Sequence, residues 1–313
     1  MSAALAMLLA GLIDARVGWP DAVHARIGHP VTWIGALIAR LDQRLNDPHA
    51  RDDARVRAGT VTVIAVLGVV ALAAIVVQAL LPGGVVGVAL TALLAWPFLA
   101  VRSMHDHVAA VAEPLGDGDL SGARAAVAMI VGRDPRRLDD AGVARAALES
   151  LAENTSDGIV APLFWGVIGG LPGIALYKAV NTMDSMIGHR TPRHAAFGRT
   201  AARLDDLVNL APARLTGLIF VLVSWRPRAA FGVMWRDAPT HRSPNAGWPE
   251  AAMAGALGVR LSGPRVYAEG AAPEPWINDG ARDPDAADLA GGLELYRRAM
   301  LCLALILAGL ALA

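Results

Sequence analysis

Cysteine is almost absent from this sequence, since Cys302 is the only one among 313 residues and lies inside an apolar run. Its isolation excludes a disulfide framework, Cys-x-x-Cys redox chemistry and thiolate zinc sites. A metal ion would therefore need oxygen or imidazole ligands. Lysine is just as scarce, because Lys178 is the only one. The chain contains no Gly-x-x-x-x-Gly-Lys-Ser/Thr loop and no Gly-x-Gly-x-x-Gly, so any ATP site is of another kind.

Charged and aromatic side chains are also in short supply. Charged residues make up 18% of the chain, aromatic residues 5%, and the formal net charge is +0. Without a basic field or many rings for base stacking, nucleic acid is not expected as a partner. Apolar residues make up 55% and mean hydropathy is +0.44, whereas soluble proteins average about 45–50% apolar and about 25% charged residues. This composition indicates an integral membrane protein.

The clearest membrane-spanning candidates are two apolar runs, residues 60–81 and 84–101. At a rise of about 1.5 Å per residue, about 20 residues cross a hydrocarbon core of about 30 Å. The second run ends in Trp96-Pro97-Phe98, where an indole suits the membrane interface. Pro82-Gly83 joins the two runs into a transmembrane hairpin. Four further apolar segments are shorter or interrupted: 2–13, 158–180, 210–225 and 299–313.

Two of these segments contain residues that are unusual in a membrane-spanning helix. Residues 169–173, Gly-Gly-Leu-Pro-Gly, break the segment 158–180 near its middle, as in a broken or re-entrant helix. Arg214 lies inside 210–225, and a charge there is costly unless it faces protein or water. The run 2–13 lacks the basic region of a secretory signal, so we expect it to be part of the mature fold.

The distribution of arginine orients the chain, because loops rich in Lys and Arg stay in the cytoplasm. If every apolar run crosses, the loops 14–59, 102–157 and 226–298, with seven, six and nine arginines, share one face. The loop 181–209, with four arginines, then lies on the other face. If 158–180 and 210–225 instead dip into the membrane and return, 181–209 is cytoplasmic as well. Charge alone leaves both topologies open.

Helical periodicity dominates the remaining segments, and strand alternation is not evident. We predict an all-α, polytopic integral membrane protein with broken or re-entrant helices and cytoplasmic helical segments, forming a single domain over residues 1–313. Residues 263–288 are typical of an irregular surface loop. Three further helices are expected from an N-cap or from a proline in the first turn. They run from Ser121 to about Val131, from Asp139 to Glu153, and from near Pro249 to about Val259.

Four stretches place acids, amides or arginines beside apolar helix, where a partner or water must meet them. In residues 148–158, Glu149, Glu153 and Asp157 recur four apart and share a helical face. Residues 244–249, Pro-Asn-Ala-Gly-Trp-Pro, lead into a helix N-terminus suited to an anion. A solvated helix end and a structural ion pair between Arg203 and Asp206 are the alternatives to a functional interpretation. The other two stretches are 180–188, with Asn181, Asp184, Ser185 and Gly188, and 197–209, with Arg203, Asp205, Asp206 and Asn209.

Together these stretches resemble the CobD/CbiB family of integral membrane cobalamin-biosynthesis proteins. The likeness runs through the chain in order and is weakest near 270–288. Its most specific elements are Glu-Asn-Thr-Ser-Asp-Gly at 153–158 and Asn-Ala-Gly-Trp-Pro at 245–249. The other matching elements are His29-Pro30-Val31 with Gly35, Glu149-Ser150, Ala161-Pro162-Leu163, Val180-Asn181-Thr182 with Asp184-Ser185-Met186, Ala202-Arg203-Leu204-Asp205-Asp206 with Asn209, and Pro212-Ala213-Arg214.

The resemblance implies an ATP-dependent carbon–nitrogen (amide) ligase, an adenosylcobinamide-phosphate synthase. Members of the family join the free carboxylate of adenosylcobyric acid to (R)-1-aminopropan-2-ol or its O-phosphate, giving adenosylcobinamide or its phosphate. ATP and Mg²⁺ are the implied co-substrate and activator, and no tightly bound organic cofactor is expected. The expected partners are the corrinoid, the aminopropanol or its phosphate, the lipid bilayer and other enzymes of the cobalamin pathway.

Such a reaction needs phosphates neutralised by Mg²⁺ and basic side chains, and the motifs supply these residue types. Because ATP is cytoplasmic, residues 181–209 should face the cytoplasm. This favours the topology in which segments 158–180 and 210–225 dip into the membrane and return to the same side. We therefore expect a multi-pass protein of the cell (inner or plasma) membrane with its active site on the cytoplasmic side. The expected catalytic residues are Asp157, Asp184, Asp205 and Asp206, and the expected metal ligands are Glu153, Asp157, Asp184 and Asp205. The expected substrate and phosphate ligands are Asn154, Ser156, Lys178, Asn181, Ser185, Arg203, Asn209, Arg214, Asn245 and Gly247.

Two other classes stay open at this stage: a membrane transporter of a small anionic solute and an AmpE-like membrane signalling protein. A transporter would also place Arg, Asp and Asn beside broken membrane helices. Against it, the clear spans are few and no inverted repeat is evident. A signalling protein would not need the full set of acids and amides, which this chain keeps.

Overall fold

The computed structural model describes residues 3–131, 134–267, 270–272 and 274–313. Helices dominate these residues, and the predicted all-α class is confirmed. Short 3-10 turns lie at Trp96–Phe98, Pro135–Arg137 and Ala238–Thr240, and single π-helical turns at Ser156–Val160 and Asp184–Gly188. The helices are α1 (Ala3–Val17), α2 (Asp21–Ile27), α3 (Pro30–Leu45), α4 (Asp52–Leu80), α5 (Gly84–Ala95), α6 (Val101–Gly116), α7 (Leu120–Val127), α8 (Asp140–Thr155), α9 (Ala161–Met183), α10 (Arg199–Val208), α11 (Leu210–Val223), α12 (Pro227–Asp237), α13 (Gly247–Leu257) and α14 (Ala286–Leu312).

The segment 263–288 is less irregular than the sequence suggests. β1 (Leu261–Ser262) pairs antiparallel with β4 (Trp276–Ile277), and β2 (Arg265–Tyr267) pairs antiparallel with β3 (Gly270–Ala272). The expectation of a loop without secondary structure was therefore wrong in part. Strands of two or three residues are too short for the alternation that identifies a strand in a sequence.

Among the residues that the structure describes, four helical stretches are long and apolar enough to cross a membrane: Asp52–Leu80, Gly84–Gly116, Asp140–Gly188 and Ala286–Leu312. The number rises to six if two bent pairs, α1 with α2–α3 and α10 with α11, each count as one span. From Val61 to Leu80 the exposed side chains of α4 are apolar, as lipid contact requires. The chain is thus a polytopic α-helical membrane protein, and each predicted apolar segment falls largely within a helix.

Capping residues set the beginnings of two helices. Asp139 caps α8 as predicted, because its carboxylate accepts a hydrogen bond from the Gly142 amide at 2.8 Å. The helix expected to follow Ser121 instead begins at Leu120, where Asp119 caps it, and it ends at Val127. The prediction missed Asp119 because Ser121 is an equally good N-cap by residue type.

The chain divides into two compact units. Unit 1 comprises Met1–Ala100, Ala161–Asn209 and Leu307–Ala313, and unit 2 comprises Val101–Val160 and Leu210–Ile306. Helices α1–α5, α9 and α10 therefore belong to unit 1. Helices α6–α8 and α11–α13, the strands and most of α14 belong to unit 2.

Unit 1 is organised by a sharp reversal within α9. Gly170 has φ 61° and ψ −146°, which interrupts the helix and suits glycine. Residues eight apart in a straight helix are separated by about 12 Å. A Cβ on Gly173 would nevertheless lie only 3.0 Å from the carbonyl carbon of Trp165. The two arms of α9, residues 161–169 and 171–183, therefore fold back on each other, which confirms the predicted break at 169–173.

Contacts at the two ends of α4 show where the second arm of α9 begins and where the segment after it lies. Near its C-terminal end, Gln78 Oε1 accepts a hydrogen bond from the Leu171 amide at 3.2 Å. Near its N-terminal end, the hydroxyls of Thr60 and Thr200 lie 2.8 Å apart. The second arm begins at the Gln78 end, and the segment that follows it reaches the Thr60 end.

A polar corner holds residues 181–209 at the N-terminal end of α4. The guanidinium of Arg55 is buried and donates to the carbonyl oxygens of Pro192 and Arg193. The Arg193 side chain pairs with Asp42 at 2.7 Å. Residues 181–209 therefore lie at the same end of unit 1 as part of the arginine-rich segment 14–59, in agreement with the topology favoured from the sequence.

Unit 2 is built around α13, whose small residues allow close packing by α11 and α12. Residues 251–254 are almost completely buried. A Cβ on Gly255 would lie 2.8 Å from the carbonyl oxygen of Ala229, so α12 approaches α13 backbone to backbone. Glu149 is buried and accepts a hydrogen bond from the Ser262 amide at 2.8 Å, which ties α8 to β1.

Two arginines make cation–π contacts with the Trp276 ring in unit 2. The guanidinium carbons of Arg260 and Arg145 lie 4.2 Å and 4.7 Å from the ring centroid. Both arginines pair with Asp283. The hydrogen bond from Arg260, together with the charge of Arg145, lowers the pKa of Asp283 to about 2. This cluster fixes the chain between β4 and α14.

Candidate functional site

A group of buried and half-buried acids and amides lies in unit 1, where the second arm of α9 and the following π turn meet α10. Residues three or four apart on a helix share a face, so α9 and its π turn present four of these side chains on one side. Helix α10 supplies the others. The group, which we call the acid–amide cluster, consists of Tyr177, Lys178, Asn181, Asp184, Asp205 and Asn209.

Asp205 is held by a chain of two hydrogen bonds. Its Oδ2 accepts from Asn209 Nδ2 at 3.0 Å, and Asn209 Oδ1 accepts from the Tyr177 hydroxyl at 2.9 Å. Asp205 is 9% exposed and Asn209 is 1% exposed. Because the Tyr177 hydroxyl donates to the amide oxygen, it fixes which way the Asn209 amide points, and the amide orients the carboxylate.

The other oxygen of Asp205 makes this carboxylate a candidate ligand. Within the described residues, Oδ1 has no partner at hydrogen-bond geometry, although the Asn181 side chain points towards the carboxylate. Asp184 lies close enough to interact electrostatically with Asp205, so two acids share a small space. A buried carboxylate oxygen without a partner costs free energy. Such paired acids are typical of sites that bind a cation or move a proton.

The π turn Asp184–Gly188 shapes this side of the cluster. A Cβ on Gly188 would lie 2.8 Å from the Asp184 carboxyl carbon, so a larger residue at this position would displace the Asp184 carboxylate. The Ser185 hydroxyl donates to the Asn181 carbonyl at 2.9 Å, and Lys178 Nζ donates to Asn181 Oδ1 at 3.4 Å. Single π turns of this kind frequently occur at functional sites.

Asp206 and Arg203 lie on the exposed side of α10. Asp206 interacts electrostatically with Asp184 and with Arg190. Arg190 therefore supplies a positive charge near Asp206, and the ion pair between Arg203 and Asp206 that the sequence suggested stays a prediction.

A second set of predicted residues lies at the end of α8 in unit 2. Asn154 donates to the Ser150 carbonyl at 2.9 Å, a contact within the helix. Ser156 is buried, and its hydroxyl has no hydrogen-bond partner among the residues that the structure describes. Asp157 is half-buried and Glu153 is exposed. Ser156 and Asp157 begin the π turn Ser156–Val160, so each unit presents an acid and a serine on a π turn.

Arg214 and the motif at 244–249 meet in unit 2. The Arg214 guanidinium stacks on Trp248 with its carbon 4.5 Å from the ring centroid, and Nη1 donates to the Leu210 carbonyl at 2.7 Å. A Cβ on Gly247 would lie 2.6 Å from the Ala238 carbonyl oxygen, so this motif also requires its glycine.

The amides of this motif are partly engaged within the loop itself. The amides of Asn245 and Ala246 each donate to Ser243 Oγ at 3.2 Å, and the Trp248 amide donates to the Asn245 carbonyl at 3.0 Å. An anion bound here would compete with these hydrogen bonds. Asn245 and Gly247 therefore stay predicted phosphate ligands.

The carboxylates suit a metal ion that arrives with a nucleotide. Among the described residues, no group of three or more His, Cys, Asp or Glu side chains is arranged to hold a metal ion. Mg²⁺ at nucleotide sites is usually held by one or two carboxylates together with phosphates and water. Asp184 and Asp205 fit that requirement. Glu153 and Asp157 belong to unit 2, and their metal role stays a prediction.

Sequence reasoning missed Tyr177 and a buried pair in unit 2. Tyr177 lies four residues before Asn181, so extending the polar stripe back by one turn would have found it. His241 and Glu250 are both buried as side chains, with Nε2 and Oε2 3.8 Å apart. The signal for this pair was an acid within the otherwise apolar helix α13.

The fold and these side chains define a class of protein: a multi-pass α-helical membrane protein with a buried acid–amide cluster at a helix end. The pattern of the family described as CobD/Cbib protein matches residues 7–296. The Cobalamin biosynthesis protein CobD of Rhodobacter capsulatus is 63% identical over 307 residues, which cover 98% of this chain and 97% of the relative. The proteins of the same name from Brucella suis and from Sinorhizobium sp are 46% and 47% identical, over 304 and 300 residues. Each alignment covers 93% of this chain, and 92% and 93% of the respective relative.

No solved structure matches the chain. The sequence comparisons nevertheless determine the family. This chain belongs to the CobD/CbiB family, a family of cobalamin biosynthesis.

Proposed function

We propose that this protein is an ATP-dependent amide ligase that joins adenosylcobyric acid to (R)-1-aminopropan-2-ol or its O-phosphate. Family membership supports the pathway. The observation that carries the reaction type is the pair of half-buried Asp184 and buried Asp205, whose carboxylate is oriented by an amide and lies near the only lysine. This combination suits chemistry in which phosphate charge and a proton must both be handled.

The chemistry begins with an unreactive carboxylate. One carboxylate oxygen of the corrinoid attacks the γ-phosphorus of ATP, and the bond to the β–γ bridging oxygen breaks to release ADP. The uncharged amine then attacks the carbonyl carbon of the acyl phosphate. Inorganic phosphate leaves, and the nitrogen loses one proton as the amide forms. The protein must therefore position three reactants, neutralise phosphate oxygens and accept that proton.

The acid–amide cluster suits two of these tasks. Mg²⁺ bound with ATP neutralises charge on the phosphate oxygens. Asp184 and Asp205 would hold it, with Oδ1 of Asp205 as the oxygen still available for a ligand. Lys178 and Arg203 would contact phosphate or the substrate carboxylate, and Asp206, on the exposed side, would accept the amine proton. Tyr177 acts through Asn209 as a positioning residue.

The unit 2 residues would serve the remaining groups. The Arg214 guanidinium lies over the Trp248 ring, which would hold it in place for bidentate binding of an anion. Asn245 and Gly247 would bind a terminal phosphate. Asn154, Ser156 and Asp157, on and beside the second π turn, would contact substrate.

The proposed protein works at the cell membrane with its site towards the cytoplasm. Its support is the polar corner, which holds residues 181–209 at the same end of α4 as part of the segment 14–59. That segment contains seven arginines, and such segments stay in the cytoplasm.

Purified protein in detergent, supplied with adenosylcobyric acid, Mg-ATP and either amine, tests the proposal. Mass spectrometry should detect a corrinoid heavier by the amide-linked arm, and phosphate should be released in equal amount. Comparing the two amines identifies the true substrate. Solute flux in proteoliposomes without any amide product would contradict the proposal.

Two substitutions test the role of the cluster. Asp184→Asn and Asp205→Asn remove one charge each and should lower kcat by about 100-fold or more, the usual loss when a charge-handling group is removed. Asp53→Asn is the matched control, because Asp53 also lies in unit 1 but is exposed, and its ion pairs with Arg51 and Arg57 are on the surface. Full activity in both cluster variants would remove these residues from the mechanism.

A further inference from the structure

A buried histidine and a buried glutamate lie beside the loop 243–248 of unit 2, and the proposed reaction gives neither of them a role. The side chains of His241 and Glu250 are 6% and 3% exposed, with Nε2 and Oε2 3.8 Å apart. Glu250 belongs to the first turn of α13, whose other residues are apolar or small. A buried carboxylate costs free energy unless partners compensate it, and His241 is one such partner.

The hydrogen bonds of His241 define which ring nitrogen carries the hydrogen. The Ser243 amide donates to Nδ1 at 3.1 Å. Nδ1 also lies 3.3 Å from the Ser243 carbonyl oxygen, but a nitrogen that accepts from an amide has no hydrogen to donate. The hydrogen of the neutral imidazole is therefore on Nε2, the nitrogen that faces Glu250. His241 is thus an acceptor for the loop and a donor towards α13.

Ser243 connects His241 to the rest of the loop. Its Oγ accepts hydrogen bonds from the amides of Asn245 and Ala246, both at 3.2 Å. A Cβ on Gly247 would lie 2.6 Å from the Cβ of His241, so the histidine packs directly against the Gly247 backbone. His241 therefore holds the loop both at residue 243 and at residue 247.

The loop in turn fixes the ring of Trp248. The indole Nε1 donates to the Pro244 carbonyl at 3.1 Å, and the Trp248 amide donates to the Asn245 carbonyl at 3.0 Å. The Arg214 guanidinium lies over this ring, with its carbon 4.5 Å from the centroid. Its hydrogen bond to the Leu210 carbonyl, at 2.7 Å, stays within α11. The position of the Trp248 ring therefore influences the direction in which the guanidinium points.

We propose that His241 is a positioning residue for Arg214 and acts through Ser243 and Trp248. Glu250 keeps the ring hydrogen of His241 on Nε2, which leaves Nδ1 to accept from the loop. The guanidinium held in this way presents its N–H groups to an oxyanion, a carboxylate or a phosphate. The oxyanion role of Arg214 rests on the proposed function, whereas the connection from His241 to Arg214 does not.

Chemical modification of arginine tests the connection without any substrate. Phenylglyoxal reacts with guanidinium groups, and peptide mass spectrometry measures the modification rate of each arginine in the full-length protein in detergent. His241→Gln removes the acceptor at Nδ1 but keeps a donor near Nε2. Arg214 should then be modified about two- to tenfold faster, the range expected for the loss of one hydrogen bond. His241→Asn keeps an acceptor near Nδ1 and should leave the rate close to that of the parent protein.

Arg298 is the matched control, because its guanidinium also lies over a tryptophan ring of unit 2, with its carbon 4.0 Å from the centroid of Trp225. Its modification rate should be the same in all variants. Ser243→Ala removes the Oγ acceptor and should accelerate modification of Arg214 even if His241→Gln does not fold. An unchanged Arg214 rate in the Gln and Ala variants, an equal rise at Arg298, or an equal rise in His241→Asn would overturn the proposal.

Steady-state kinetics identifies the oxyanion. Arg214→Lys removes the bidentate geometry and should raise KM for the substrate whose carboxylate or phosphate Arg214 binds: the corrinoid, ATP or the aminopropanol phosphate. His241→Gln should raise KM for that same substrate by about two- to tenfold with a smaller effect on kcat, and His241→Asn should restore it. A rise in Arg214→Lys with every KM unchanged in His241→Gln would overturn the positioning role. An absence of amide product from the parent protein would instead refute the proposed function and leave the modification result standing.

Discussion

The reversal of α9 at Gly170 can be tested with one methyl group. Gly173 faces the backbone of Trp165, where a Cβ would lie 3.0 Å from the carbonyl carbon and closer still to its oxygen. Ordinary van der Waals contact begins at 3.4 Å, so Gly173→Ala must push the two arms of α9 apart. Overpacking of this kind costs about 1–3 kcal/mol.

Gly169→Ala is the matched control, because the same substitution four residues earlier meets nothing within 4 Å. In a helix, alanine is favoured over glycine by about 1 kcal/mol, so the control should be as stable as the parent or slightly more stable. Apparent melting temperatures in detergent measure the difference, and about 2–4 °C is expected for each kcal/mol. If both variants melt together, the two arms do not touch and the reversal described here is wrong.

Three further predictions concern topology, acid stability and the site. In intact cells of a Cys302→Ser background, an impermeant thiol reagent should label Gly83→Cys but not Ala195→Cys. These exposed residues lie at opposite ends of α4, and Ala195 belongs to the end assigned to the cytoplasm. The reverse labelling pattern would contradict that assignment. Arg260 and Arg145 lower the pKa of Asp283 to about 2, below the value of about 3.9 in an unfolded chain. The ion pairs of Asp283 therefore stabilise the fold above about pH 4, and this stabilisation disappears as the pH falls towards 2. Asp283→Asn should therefore lower the melting temperature at pH 7 but not near pH 2, and an equal loss at both values would argue against these ion pairs. Tyr177→Phe should reduce kcat and shift the pH profile of amide formation with little effect on melting temperature, whereas an unchanged pH profile would assign the Tyr177 hydroxyl a purely structural role.

Much of the fold follows from short-range features of the sequence. The apolar run at 60–81 lies inside α4 because no proline, glycine pair or charge interrupts it. The Gly-Gly-Leu-Pro-Gly stretch predicts the break in α9, since proline lacks an amide hydrogen and glycine accepts positive φ. The β pairs and the cap of α7 escaped prediction because their signals are one to three residues long.

The candidate site is harder to predict because it depends on contacts between distant residues. The sequence indicates Asp184 and Asp205 as unusual acids, but their proximity arises from the path between α9 and α10. Tyr177 acquires its role only because Asn209, 32 residues later, returns to its hydroxyl. No local periodicity contains that information, whereas the close contact between Gly188 and the Asp184 side chain joins residues only four apart in the sequence.

The balance between arginine and lysine has a consequence for how this protein responds to its surroundings. Arginine keeps its charge in proteins at any pH that a cell experiences. Nearly all of the lysine and arginine charges here are therefore permanent, so the charge distribution that orients the chain in the membrane is insensitive to acidity and to lysine acetylation. Lysine is the residue type from which surroundings can remove the proton. The only side-chain amine of the chain, Lys178, lies among the acids and amides of unit 1.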